Sequence, residues 1–160
     1  MLIEKTRNWK RDITATGYIV NREKTKILLI FHKKLQKWLP PGGHVEEGEL
    51  PHEAVLREVQ EEVGISAQFD TDSLTPELGL QGEVDIQVPE PYALLYQIIP
   101  ASSKEESHIH FDFVYPLICT SEEVILGDAG VLEIRWFYKD EVKKIDCFDS
   151  VRGFVKQYLK

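Results

Sequence analysis

An α/β fold in a single domain, residues 1–160, is what the sequence predicts, on three observations. Runs of β-branched and aromatic residues stand between polar segments and read as strands. The stretch from Pro51 to Val63 carries an apolar stripe at helical spacing, and so does the stretch from Phe148 to Leu159. With 42% hydrophobic and 29% charged residues, a chain of this length can enclose one core without disulfides or structural metal.

In chain order, residues 1–10 show no clear period and are left unassigned. Ile13 to Val20 and Lys26 to Phe31 read as a hairpin turning near Asn21 to Thr25. Ile27 to Phe31 is almost wholly apolar, as suits a central strand covered on both faces. Trp38-Leu-Pro-Pro-Gly-Gly43 ends any regular element, because consecutive prolines remove two amide donors; a loop should follow. Pro51 suits the first position of a helix and Gly64 its stop, although Leu50 stands where a capping Ser, Thr or Asp is usual. Ile65 to Phe69 could form a short strand. Thr71 to Pro91 is polar and proline-punctuated, and is read as a lid, an assembly loop or an edge. Tyr92 to Ile99 and Ile109 to Cys119 predict an antiparallel pair, and Val131 to Tyr138 a further strand. Phe148, Val151, Val155, Tyr158 and Leu159 predict a C-terminal helix packed on the sheet.

Composition narrows the function. Nineteen basic against twenty-seven acidic residues give a net charge of -8, which argues against broad binding to nucleic acid or anionic membrane. No apolar run approaches a membrane span, and charge follows at once after Met1-Leu-Ile, so a cytoplasmic location is the default expectation. Cys119 and Cys147 belong to no Cys-x-x-Cys or Cys/His cluster and read as reduced thiols, Cys147 close to a helix start.

The chemistry concentrates between Gly43 and Ile65. On a helix at about 100° per residue, Val55, Leu56, Val59 and Val63 share one sector while Glu58, Glu61 and Glu62 gather in another. Taken alone, such a triad is a solvated acidic face. Its like charges repel by a few tenths of a kcal/mol per exposed pair, a cost that a hard divalent cation would remove. The flanking residues decide between these. Gly43, five residues, Glu49, seven residues, Arg57-Glu58-Val59, one residue, Glu61-Glu62, one residue, Gly64-Ile65 match every fixed position of the pattern, and the stretch resembles the Nudix box.

This resemblance implies a Nudix-like α/β/α sandwich with a mixed β-sheet between helices. It implies magnesium, with manganese as a substitute, held by Glu58, Glu61 and Glu62 with a backbone carbonyl of Gly42 or Gly43. Arg57 would orient the carboxylates, Glu49 would support them, and Glu61 is the first choice of general base, with Glu105 or Glu106 open as alternatives. The implied reaction is attack of water on phosphorus in a nucleoside diphosphate linked to another group, either a nucleoside triphosphate or a nucleotide-sugar type compound. The alternative is a non-catalytic nucleotide-sensing module, which the intact box disfavours; removal of pyrophosphate from RNA 5′ ends lacks a basic groove. Leu80 stands where a proline would suggest ADP-ribose, and no tyrosine follows to suggest dinucleoside polyphosphates. Substrate reading is expected of His108, His110 and Asp112 on one strand face, with Phe31, Trp38 or Tyr92 stacking. Against that stands a plain sheet surface for the polar three and core packing for the aromatics; a metal role for the histidines is the least favoured reading. The expected partner is a small-molecule nucleotide, with a homodimer left open.

Overall fold

The computed structural model describes residues 2–70, 78–80, 84–127 and 130–160. The elements are α1 (Leu2–Lys5), β1 (Arg11–Asn21), β2 (Lys26–His32), β3 (Lys37–Leu39), β4 (Gly42–His44), α2 (Pro51–Val63), β5 (Ala67–Phe69), β6 (Ala93–Ile99), β7 (His108–Cys119), β8 (Val131–Tyr138), α3 (Lys139–Val142) and α4 (Asp149–Tyr158). The strands form one mixed sheet. Its main path runs β3-β2-β1-β7-β5, with β4 on β1, β6 on β7 and β8 on β2. Among the described strands only β1 and β7 pair in parallel, in register from Arg11↔Ile109 to Asn21↔Cys119.

Side chains alternate across a strand, so β1 and β2 each feed two cores. Ala15, Ile19, Leu28 and Ile30 pack against Val55, Val59 and Val63 of α2. Tyr18, Val20, Ile27 and Leu29 pack on the other face with Phe137, Val151, Phe154 and Val155. Helices therefore cover both faces. Val55, Val59 and Val63 are fully buried, each such burial contributing about 1.5–3 kcal/mol. This fastens α2 to the sheet.

The hairpin of β1 and β2 forms as expected, its turn held by Asn21, whose Oδ1 accepts from the amides of Thr25 at 2.8 Å and Lys26 at 2.9 Å. Three expectations need correction. The prolines do not end regular structure at Trp38: Pro40 and Pro41 separate two three-residue strands, β3 pairing with β2 and β4 with β1. Phe148 precedes α4 and is 45% exposed, because the buried stripe is Val151, Phe154 and Val155. Both faces of β7 are covered in part, Ile109 and Tyr115 being buried on one and His108 and Asp112 on the other, so these two do not form the plain sheet surface expected of them, and Phe111 is 38% exposed. Cys147 is a free, buried thiol, as expected, and burial raises its pKa. The unassigned N-terminus contains α1. Of the Thr71 to Pro91 segment, residues 71–77 and 81–83 lie outside the described residues, and so does its proposed role.

Candidate functional site

Leu50 stands at the N-cap of helix α2, and its side chain cannot cap it. The Glu53 carboxylate instead accepts from the Leu50 amide at 2.9 Å, and Pro51 has no amide to satisfy. At the other end the amides of Ile125 and Gly127 donate to the Val63 and Glu62 carbonyls at 3.1 and 3.0 Å, so otherwise unpaired helix-terminal acceptors are satisfied by a neighbouring segment. The acidic turn is thus held rigidly between two fixed ends.

Arg57 organises the carboxylates. Its Nε and Nη2 donate to the two oxygens of Glu49 at 2.9 and 3.0 Å, and Nη2 also donates to the His44 carbonyl at 3.0 Å. Its Nη1 donates to Glu58 at 2.9 Å and to Glu61 at 3.4 Å. The bond to Glu49 raises the Arg57 pKa, and the same bond lowers that of Glu49. Glu61 is 55% exposed, whereas Glu62 is 5% exposed and accepts from the Gly42 amide at 2.9 Å. Burial pushes the Glu62 pKa up to about 7; the Gly42 amide opposes this, and the charges of Glu58 and Glu61 add to it.

The box loop enters through β4, where Gly43 and Gly42 pair with Ala15 and Thr16. A Cβ on Gly43 would collide with the Glu58 carboxylate. The space that glycine leaves lets the Glu58 carboxylate lie against the loop backbone. Glu58, Glu61 and Glu62, the first two sharing the Arg57 guanidinium, make an all-oxygen set that fits a hard divalent cation, which would offset their mutual repulsion.

The other expected residues lie on the opposite face of the sheet from α2. Asp112 is buried and accepts from Thr14 and Thr16 hydroxyls at 2.9 and 2.7 Å and from Gln97 at 3.3 Å. Burial raises its pKa, against the pull of the two threonines. Phe31 and Trp38 pair across β2 and β3 with ring centroids 5.3 Å apart, and Trp38 also meets Phe137 edge-on at 4.7 Å. Tyr92 is 42% exposed and meets Phe154 and Tyr158 edge-on. Glu105 and Glu106 line an open cleft of about 450 Å³ with Trp9, Lys10 and His108. Two residues without a role in the sequence reading, Asp12 and His44, stand with His110, their potential ligand atoms all within 4.8 Å of one another. No spacing could have shown this, since the three come from different strands.

The comparison with known families matches a model described as the NUDIX domain over residues 11–157. The chain belongs to this family. The NUDIX fold recurs in a NUDIX-family hydrolase from Clostridium perfringens, with 27% identity, a TM-score of 0.76 and coverage of 93% of this chain and 96% of that one. It also recurs in the Escherichia coli dihydroneopterin triphosphate pyrophosphohydrolase, at 16% identity, TM-score 0.64 and coverage of 94% and 97%. Curated relatives match over shorter stretches. A putative 8-oxo-dGTP diphosphatase of Bacillus subtilis is 45% identical over 49 residues, 31% of this chain and 33% of that protein. The pig asymmetrical bis(5′-nucleosyl)-tetraphosphatase is 49% identical over 41 residues, 26% and 28% of the two chains. The chain thus matches about a third or less of the length of these curated relatives.

Proposed function

We propose that this NUDIX domain is a magnesium-dependent pyrophosphohydrolase acting on a nucleoside diphosphate linked to another group, a nucleoside triphosphate or a nucleotide-sugar type compound. The observation that carries the reading is the single guanidinium of Arg57 tied to Glu49, Glu58 and Glu61, beside a Glu62 buried on the Gly42 amide. Glu58, Glu61 and Glu62, with a carbonyl of Gly42 or Gly43, would hold the cation, for which manganese would substitute. When bound, it supplies charge neutralisation of the diphosphate and a more acidic water.

The chain's own residues do the rest. Glu61 is the most exposed of the three carboxylates and, of the two bonded to Arg57, the more weakly held, so its carboxylate accepts the proton of the attacking water. Glu62 and Glu58 hold position, the first through Gly42 and the second through Arg57. Names among the relatives point to different nucleotides, an 8-oxo-dGTP and a bis(5′-nucleosyl) tetraphosphate. Substrate choice belongs to the opposite sheet face, where His108, His110 and Asp112 and the ring pair Phe31 and Trp38 supply polar and stacking contacts.

A screen for release of nucleoside monophosphate from nucleoside triphosphates, nucleotide sugars, ADP-ribose and dinucleoside polyphosphates, with and without magnesium, tests the proposal. Turnover should appear only with the cation, and Glu61→Gln and Glu62→Gln should each lower it at least about a hundredfold while leaving the folded circular dichroism spectrum intact. Near-normal hydrolysis by both variants would sink the assignment.

A further inference from the structure

We propose that Asp12, His44 and His110 form a second cation site, separate from the box carboxylates, that takes a transition ion of the zinc class. Strand register builds it. The parallel β1–β7 ladder sets Asp12 opposite His110, and the antiparallel β1–β4 ladder sets Thr14 opposite His44. Asp12 and Thr14 are two apart on β1 and share a face, so the two imidazoles and the carboxylate converge there. The rings of His44 and His110 meet edge-on with centroids 4.9 Å apart. A tetrahedral ion with bonds of about 2.0–2.1 Å would draw its ligand atoms to roughly 3.3 Å of one another. From separations within 4.8 Å, side-chain rotation covers the difference.

The donor set selects the ion. Two imidazole nitrogens and one carboxylate suit zinc and its neighbours and leave a coordination position open, whereas the box offers oxygen alone and suits magnesium. The ring contacts agree. His108 Nδ1 lies 2.9 Å from the Glu106 carbonyl and donates to it. Its Nε2 is 3.1 Å from His110 Nε2, a contact that holds the His110 ring through one nitrogen and leaves the other for an ion. A ligating histidine whose other nitrogen is held in this way is the usual arrangement around a metal. Lys10 bonds Asp12 Oδ2 at 2.9 Å, but its side chain is 69% exposed and swings away at little cost. The site also touches the box, because the carbonyl of His44 is the one that Arg57 holds. An ion there would pin the corner where β1, β4 and β7 meet.

The test is zinc binding by equilibrium dialysis in excess magnesium, with the visible spectrum of the cobalt(II) form as a second readout. One zinc per chain is expected. His44→Ala, at an exposed position that cannot disturb the core, should weaken zinc binding about a hundredfold or more, as should His110→Ala and Asp12→Asn. A Glu58→Gln, Glu61→Gln, Glu62→Gln triple variant, devoid of hydrolysis if the proposed function holds, should bind zinc as the parent does. Zinc binding that is absent, that survives His44→Ala in a chain with native circular dichroism, or that disappears in the triple variant would overturn the site. None of these outcomes depends on turnover, so the two proposals fail separately.

Discussion

Arg57 spends all five of its N–H donors on Glu49, Glu58, Glu61 and the His44 carbonyl. A lysine could not reproduce this fork. Glu49 takes two of the five, so Glu49→Gln loses one charge-assisted bond and turns an amide group toward a guanidinium donor. The expected loss is about 1–3 kcal/mol at pH 7. Its sign with pH follows from Glu49 having a folded pKa below its ordinary 4.5, with the Arg57 bond as the first cause. The stabilisation is complete above that ordinary value and is lost as pH falls through the lowered one. Urea unfolding of both proteins at pH 7, 5 and 3 should therefore show the gap between them closing toward acid; a gap that stays constant would remove Glu49 from this role. The pairing of Arg57 with Glu49 was legible in the sequence through the box pattern. The burial of Glu62 was not, because helical periodicity placed it with its exposed neighbours, and its contact with the Gly42 amide comes from a distant segment.

Helix α2 shows how much of an element its ends decide. Its limits, Pro51 and Val63, match the proline and glycine punctuation, and the missing cap at Leu50 is offset by Glu53. Gly64 adopts φ 65°, and a Cβ there would come within 2.8 Å of that of Ile125. Gly64→Ala should destabilise the protein by roughly 1–2 kcal/mol, from left-handed strain plus crowding. Gly153 lies inside α4 with nothing near its Cβ position; Gly153→Ala should stabilise by about 0.5–1 kcal/mol through helix propensity. Thermal unfolding of the pair checks both, and a shift of the same sign in each would refute this account. The strands were legible from their β-branched and aromatic runs. The short β3 and β4 were not, since three residues beside two prolines carry no period, and only pairing with β2 and β1 makes them strands.

Across the chain, the two cores and the single mixed sheet place the acidic turn at one side and the His and Asp cluster at the other. Without a cation the protein carries the repulsion of Glu58, Glu61 and Glu62 within one turn, with Glu62 desolvated. Magnesium at 100 times its dissociation constant should add about 2.7 kcal/mol, or several degrees of melting temperature at roughly 2–4 °C per kcal/mol for a chain of this size. Chelation should reverse it. The variant with Glu58, Glu61 and Glu62 all changed to Gln should show no such response, and an undiminished one would place the cation elsewhere. By itself the sequence determined the α/β class, the principal strands and helices, and the box with its carboxylates, because these rest on periodicity and spacing within one segment. Tertiary structure alone decided that Glu62 is buried, that β7 turns His108 and Asp112 inward, and that Asp12 and His44 reach His110. Each of these depends on which strand lies beside which and in what register, and a register is a contact between distant segments that no local pattern encodes.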